Sequence, residues 1–410
     1  MHGPADQAIS DKQRVAWRSI KLIFFAALIV RLGYISFLKE GYYFSDIRHY
    51  EQAALSLLNG SGFGPEYDRP PLYPMFVAVN YWLWGHHFAA LRIAQALIGA
   101  FCCVGILLLA TKIFGDRAGK FAGWISVFYP YYIFISGLLY PTLINTFLLI
   151  VMIYFLLLVL EKQSIVNLFA ASFCLGLGAL TVTASFVFLP FLLIWLFFFA
   201  GFTIKRKLVY LCIIFLAASS LTVPWILYNH SRTGEWSFID ARGTQHLPYF
   251  PKDPMKETER KAAYQNRVRS IVENPGKFIL RTGQEFLHFW SFVPDRVTTR
   301  DVKFREQVNQ EDPRMVVHHP FTSRILDYIS IFTYGPVFIF AILGIAFSRN
   351  SWQKAALPFL LLMSHAIGYS FFFTQVRYRL PVEFCLMIFA GWGFTIVLQK
   401  VGIEPKKSSV

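Results

Sequence analysis

The side chains able to do chemistry in this sequence are few, and they fall near the ends of its apolar runs. Asp46 opens the segment DIRHYEQAALSLLN, and Arg69 stands just before Pro70-Pro71. Arg92 begins a later apolar run, and Arg377 and Arg379 bracket Tyr378 shortly before Pro381. Arginine presents a planar fork of donors that grips two phosphate oxygens at once, so four arginines at one interface suit a phosphate ligand. Taken singly, each also reads as a side chain snorkelling to the membrane surface. The two prolines are stiff and extended and hold Arg69 at the surface.

Asp46 reads in two ways. As the first residue of a helix it is a cap and a favourable partner of the helix dipole. As a carboxylate where a lipid phosphate headgroup must sit, it is a general base. Glu51, Glu66 and Asp68 follow in the same segment and read first as solvated loop charges. His49, Tyr50, Glu51, Tyr67, Asp68 and Tyr378 neighbour these groups along the chain and are expected substrate contacts. Arg31, inside an apolar run, is either functional or the partner of Glu383. His49, His230 and His365 are isolated, which favours hydrogen-bonded structural roles over metal ligation. The five cysteines sit in apolar runs without metal-ligand or disulfide spacing. No nucleotide-binding fingerprint occurs. No cofactor is indicated; a divalent metal stays open but has no ligand pattern to support it.

The elements that must position these groups belong to a membrane. Of 410 residues, 55% are apolar and only 15% charged, against about 25% charged in soluble domains. Mean hydropathy is +0.46, and the 43 Phe, 20 Tyr and 10 Trp exclude disorder. The net charge of +15 would point to nucleic acid on a soluble chain. On this one it marks cytoplasmic loops and surfaces facing anionic lipid, so the bilayer is a partner and nucleic acid is not.

A span takes about 20 apolar residues. About ten such runs occur, near 20–38, 88–111, 118–138, 142–160, 164–182, 184–202, 208–227, 323–347, 354–374 and 380–398. No charged residue falls between Lys120 and Glu161, or between Lys162 and Lys205. The expected fold is therefore an all-α polytopic membrane protein with about ten transmembrane helices. The first run has a polar start and no cleavage site, so it reads as a retained span. The short loops with Lys112, Arg117, Lys120, Lys162, Lys205-Arg206-Lys207, Arg349 and Lys354 alternate onto one side, which the positive-inside rule makes cytoplasmic. The tails 1–19 and 399–410 join them, and 20–398 is one membrane domain.

Two larger segments, 39–87 and 229–322, fall on the opposite side. In the first, apolar residues at 47, 50, 54, 57 and 58 predict a helix over Asp46–Asn59, lying in the interface with its stripe down. Leu72–Trp84 is apolar but too short to span, which predicts a re-entrant or interfacial helix. In the long extracytoplasmic segment, NPGKFILRTGQEFLHFWSFV is amphipathic and is expected to lie on the membrane.

The run SDIRHYEQAALSLLNGSGFG, then RPPLYPMF, ALRIAQALIGA and FGDRAGKFAGW, resembles the membrane glycosyltransferases of the C superfamily. The similarity is to the branch of protein O-mannosyltransferases and lipid A aminoarabinose transferases. VPWILYNHSRTGEW is similar to that branch's PW-x-x-RN-x-x-x-x-G segment, and NPGKF and RYRLP also fit. The resemblance covers most of residues 20–398 and rests on the shared order of motifs. It implies transfer of a sugar from a polyprenyl-phosphate-linked donor to a lipid, glycan or protein acceptor on the outer face of a membrane, expected to be a bacterial inner membrane. It implies that Asp46 is the catalytic base, that Arg69 contacts the donor phosphate, and that Arg377 and Arg379 form the late basic motif. Such a transfer needs one base for the acceptor hydroxyl and cations for the departing phosphate, without a glycosidase's second carboxylate.

The sequence departs from the branch at three places. An acid usual after the third span is absent from Leu139-Tyr140-Pro141-Thr142-Leu143. An Arg usual after the fifth is absent from Leu180-Thr181-Val182-Thr183. The Arg before Asn229 is Tyr228. Two other readings compete with an inverting enzyme: a flippase or transporter for lipid-linked sugar, and a non-catalytic relative that binds polyprenyl lipid. Spans three to seven carry no Asp or Glu, which counts against a coupled transporter.

Overall fold

The computed structural model describes residues 4–43, 46–64, 67–234, 236, 239, 269, 271–293, 323–372 and 374–402. Glu66, most of the long segment 229–322 and the last residues of the C-terminal tail lie outside them.

Every described element is helical. The long helices are α1 (Pro4–Ser36), α4 (Phe88–Phe114), α7 (Thr142–Lys162), α10 (Ile204–Thr233), α12 (Ser323–Ala346), α13 (Trp352–Ser370) and α15 (Glu383–Lys400). Between them lie α2 (Asp46–Leu58), α3 (Leu72–Trp84), α5 (Asp116–Phe128), α6 (Pro130–Gly137), α8 (Ile165–Ala179), α9 (Phe188–Ile194), α11 (Pro275–Phe289) and α14 (Val376–Arg379). Among the described residues, six segments are long and apolar enough to cross a bilayer: 17–36, 88–114, 142–162, 204–232, 325–346 and 376–400. This is an integral membrane protein with multiple apolar spans. Ile29, Phe198, Leu216, Phe332 and Ile339 are exposed around the bundle, as lipid-facing side chains must be.

The other four apolar runs hold helix too, but shorter or broken. The run 118–138 divides into α5 and α6 because Pro130 takes the first position of a new helix and holds Tyr129 extended. The run 184–202 starts as a 3-10 turn (Thr183–Val187), passes through α9 and ends as a π turn (Trp195–Phe199). Helix α10 continues beyond 227 to Thr233, so the long segment after it begins at 234, five residues later than its hydropathy indicates.

Helix α15 is the hub. A Cβ at Gly393 would meet the Phe340 carbonyl oxygen at 2.0 Å, and one at Gly344 the Phe389 oxygen at 2.0 Å. Small residues on both sides thus let the backbones of α12 and α15 touch, the usual way apolar helices associate in lipid. Gly391 does the same toward Ala118 of α5. Buried Arg31 does not pair with Glu383, as the sequence allowed. It donates to the carbonyls of Ala27 and Ser126 and to Cys103 Sγ, whereas Glu383 pairs with Arg379.

The bundle has two unlike ends. At one, Glu161 at the end of α7 bridges Lys112 of α4 (2.6 Å) and Lys354 of α13 (3.2 Å), and Arg206 reaches Gln163. At the other end stand the N-terminus of α7 and the C-termini of α6, α8 and α13. Helix α7, 21 residues long, separates the two by about 30 Å.

Helices α2 and α3 cover that second end. The 72–84 helix has the bounds its composition gives, and it stops where Gly85 takes φ +79° and returns its N–H to Tyr81. The stripe of α2 is buried against protein rather than turned to lipid. Ile47, Tyr50, Ala53 and Ala54 pack with Tyr42, Tyr73, Val77, Leu138, Leu180 and Trp225.

Candidate active site

Beneath α2 opens a cavity of about 510 Å³. Its walls come from five places: α2, the Arg69-Pro70 turn, α6 with the Tyr140–Thr142 turn, the Thr181–Val187 stretch, and the end of α13 with α14. Asp46 is the one carboxylate among its described lining residues, and Arg69 and Arg377 are the two guanidiniums.

These three form a network. Arg69 Nη2 donates to Asp46 Oδ1 at 2.8 Å. Arg377 Nη1 lies 3.6 Å from Asp46 Oδ2 and donates to the Tyr140 hydroxyl at 3.1 Å. The Tyr140 hydroxyl in turn donates to Asp46 Oδ2. Tyr50 stacks beneath the Arg69 guanidinium, 5.1 Å from its ring centre, and Tyr378 stacks flat on Tyr369 at 4.6 Å. Burial alone would raise the Asp46 pKa, but the Arg69 charge, the Tyr140 hydrogen bond and Arg377 outweigh it. The carboxyl is held well below the usual carboxylate range. The Tyr140 phenol moves upward through burial, so it remains a hydroxyl donor.

The local sequence explains why these groups meet. Asp46 is in the first turn of α2, where a negative charge complements the helix dipole. The capping and the charge-network readings of Asp46 are thus compatible. Arg69 is held by the rigid Pro70-Pro71 step, itself tied down where Tyr67 donates to the Pro70 carbonyl at 2.6 Å. The Leu72 N–H bonds the Leu180 carbonyl at 2.9 Å, fixing the 39–87 segment to the end of α8.

Of the remaining described residues expected as phosphate ligands or substrate contacts, Tyr50 and Tyr378 line the cavity and the others do not, while His365, read from sequence as structural, lines it too. Arg92 donates to the carbonyls of Gly137 and Lys39, both at 3.0 Å, and braces α4 against the ends of α1 and α6. Arg379 is enclosed, paired with Glu383 at 2.6 Å, donating to the carbonyls of Phe289 and Ser291 and lying 3.8 Å over Tyr334. Both arginines therefore brace neighbouring elements, and neither lines the cavity. Glu51 is no solvated charge. It is buried and accepts from Tyr42, from Tyr81 at 3.1 Å and from His86 at 2.6 Å, tying α2 to α3. His49 is exposed, Tyr67 holds the Pro70 turn, and Asp68 lies 3.9 Å from Arg69 Nε outside the cavity wall. Tyr140 was not singled out as a site residue. Its one signal is position, since it stands in the turn where the related sequences carry a second acid. Among the described residues, no three His, Cys, Asp or Glu side chains gather as a metal site.

Residues 68–228 match the family described as dolichyl-phosphate-mannose-protein mannosyltransferase. The chain is 27% identical over 165 residues to a Bacillus subtilis (strain 168) protein named "Putative mannosyltransferase YkcB", a match spanning 40% of this chain and 23% of that protein. Its fold is similar to that of ArnT from Cupriavidus metallidurans bound to undecaprenyl phosphate. There the TM-score is 0.61 at 15% identity, over 94% of this chain and 62% of ArnT. It is also similar to the oligosaccharyltransferase AglB from Archaeoglobus fulgidus in complex with an inhibitory peptide and dolichol-phosphate. That TM-score is 0.60 at 13% identity, over 97% of this chain and 53% of AglB. The chain thus spans under a quarter of the curated relative, and less than two thirds of either solved structure. The chain therefore shares the fold of these two solved structures, and its residues 68–228 match the dolichyl-phosphate-mannose-protein mannosyltransferase family.

Proposed function

We propose that this protein is an inverting glycosyltransferase that moves a sugar from a polyprenyl-phosphate donor to an acceptor hydroxyl, with Asp46 as base and Arg69 and Arg377 as the phosphate clamp. The observation that carries the reading is one carboxylate held between two guanidiniums at the edge of a cavity of about 510 Å³, a size that suits a small-molecule ligand.

In the free protein Asp46 is ionised but weakly basic, because both arginines neutralise it. A lipid phosphate entering the cavity competes for those same guanidiniums. Drawing them toward phosphate leaves Asp46 with less compensating charge and makes it a better proton acceptor only when donor is present. The acceptor oxygen then forms its bond to the anomeric carbon, and its proton passes to Asp46. The bond from the anomeric carbon to the phosphate oxygen breaks, and the electron pair leaves with the polyprenyl phosphate. Arg69 and Arg377 stabilise the charge gathering there. Tyr140 steers Asp46 Oδ2, and Tyr50 and Tyr378 are aromatic walls.

The orientation follows from charge. The Lys112–Glu161–Lys354 end is the end the positive-inside rule makes cytoplasmic, so the cavity faces the extracytoplasmic side. In this reading all ten apolar runs cross the membrane, α2 and α3 lie at the outer interface, and the protein resides in a bacterial inner membrane. A cysteine at Ser61 is then labelled by an impermeant reagent from outside only.

The test of function is a purified-protein assay with radiolabelled polyprenyl-phosphate sugar and a total membrane-lipid or periplasmic extract as acceptor. Sugar transferred to a new product with release of polyprenyl phosphate supports the reading. Donor bound but never cleaved contradicts it and favours a lipid-binding relative. Movement of intact donor across vesicles contradicts it and favours a transporter.

A further inference from the structure

The far wall of the cavity carries a polar feature that the charge network does not use. His365 is buried and lines the cavity from α13, five residues before that helix ends, roughly 7.5 Å of helical rise from its C-terminus. Its Nδ1 lies 3.3 Å from the Leu361 carbonyl oxygen and 3.3 Å from Ser364 Oγ. The Ser364 hydroxyl itself donates to Leu361 O at 2.7 Å. A carbonyl only accepts, so Nδ1 carries the ring proton and Nε2 presents a lone pair. That Nε2 is buried with no hydrogen-bond partner among the described residues, and the same is true of Thr183 Oγ1, on the facing 3-10 turn.

The two elements are in close contact. A Cβ on Gly368 would meet Val187 Cγ1 at 2.8 Å, which locks α13 against the 183–187 turn. Around them the wall is apolar, with Phe134, Ile135 and Val187. An unpaired acceptor in such surroundings is costly unless a ligand supplies the donor. The ionised phosphodiester of a glycosyl donor has no proton to give Nε2, whereas a sugar hydroxyl has. All the charged lining groups, Asp46, Arg69 and Arg377, sit in the one network, so this wall offers nothing to compensate a charge on the sugar.

Resting on the donor reading above, we propose that His365 Nε2, with the Thr183 hydroxyl, reads the glycosyl group of the donor. One hydroxyl of an uncharged sugar donates to Nε2, and the pair sets sugar selectivity without taking part in bond making. The absence of an Arg in the Leu180–Thr183 stretch is then part of that selectivity, because it leaves the wall neutral.

The test compares three probes by calorimetric titration into the purified full chain: farnesyl phosphate, farnesyl phosphomannose, and the matching 2-amino-2-deoxy sugar conjugate. The wild-type protein binds the mannosyl probe about tenfold more tightly than bare farnesyl phosphate, and the amino-sugar probe no better than bare. His365→Phe removes the acceptor and abolishes that preference, Thr183→Val reduces it, and His365→Gln, whose amide oxygen accepts, restores most of it. A mannosyl preference that survives in His365→Phe overturns the inference, as does wild-type protein that binds bare and mannosyl probes alike. Equal binding of amino-sugar and mannosyl probes overturns the claim of an uncharged sugar. Failure of wild-type protein to bind farnesyl phosphate at all overturns the donor reading itself.

Discussion

Arg377 and Arg379 stand two residues apart in one short helical segment, and the fold gives them opposite work. The Arg377 side chain is 43% exposed and faces the cavity, where it meets Tyr140 and Asp46. The Arg379 side chain is 0% exposed, locked to Glu383 and to two carbonyls at the end of α11. Residues two apart on a helix point about 200° away from each other, so a cavity on one side admits only one of them. Arg69 and Arg92 divide the same way. The lesson is that basic residues near a membrane surface separate into those bonded to fixed carbonyls or to a buried carboxylate, and those whose partner is a carboxylate that a phosphate can displace. Only the second kind can bind a ligand without dismantling the fold.

The largest expected effect is on turnover. Asp46→Asn keeps the size and capping ability of the side chain but removes its basicity. Sugar transfer should fall by about 10²–10⁴-fold, with the protein still folded and farnesyl phosphate still bound, and with a lower melting temperature because the charge that pairs with Arg69 and Arg377 is gone. Near-wild-type turnover would return Asp46 to the role of a helix cap.

The two late arginines come next. Arg379→Ala leaves Glu383 buried without its partner and should cost about 3–5 kcal/mol, read as a lower melting temperature or loss of folded yield. Arg377→Ala should change stability by at most about 1 kcal/mol, while weakening donor binding by about tenfold to a hundredfold, the worth of a charge-assisted hydrogen bond. Reversal of this pattern, with Arg379→Ala stable but unable to bind donor, would break the contrast.

The hydroxyl that joins the network should matter less. Tyr140→Phe removes the donor to Asp46 and the acceptor for Arg377, and a loss of transfer of about tenfold or less is expected. Its pH profile sharpens the assignment. The Asp46 pKa is lowered in the folded protein, so the acid limb of kcat/KM should lie below the ordinary aspartate value of about 3.9 and the profile should be flat from about pH 5 to 8. Removing one of the interactions that lower it should move that limb upward in Tyr140→Phe. The same shift means that Asp46 contributes stability above its unfolded pKa, and that this is lost as pH falls through the folded value.

Much of this was legible in the sequence. The uncharged stretch from Lys120 to Glu161 and the succession of long apolar runs mark a helical membrane protein, and the 13-residue length of 72–84 marks a helix that cannot span. Asp46, Arg69 and Arg377 were visible as charges at the ends of apolar runs. What could not be read was rotation: nothing local distinguishes Arg377 from Arg379, or Arg69 from Arg92, until the helices are packed. The break at Tyr129-Pro130 was hidden because hydropathy is blind to a backbone turn between two apolar helices. Tyr140 and His365 were obscure for another reason. In a chain that is 18% aromatic, one more tyrosine is no signal, and an isolated histidine gains meaning only when it lines a cavity with one ring nitrogen bonded and the other left without a partner among the described residues.

The central claim, that the guanidiniums holding Asp46 are a lipid-phosphate clamp, is tested most directly by titrating farnesyl phosphate into wild-type protein and into the Arg69→Ala/Arg377→Ala double variant, each in nanodiscs and each checked for an unchanged melting transition. The account predicts saturable binding to the wild type and an affinity at least a hundredfold weaker in the double variant. Equal affinity in the two proteins would contradict it.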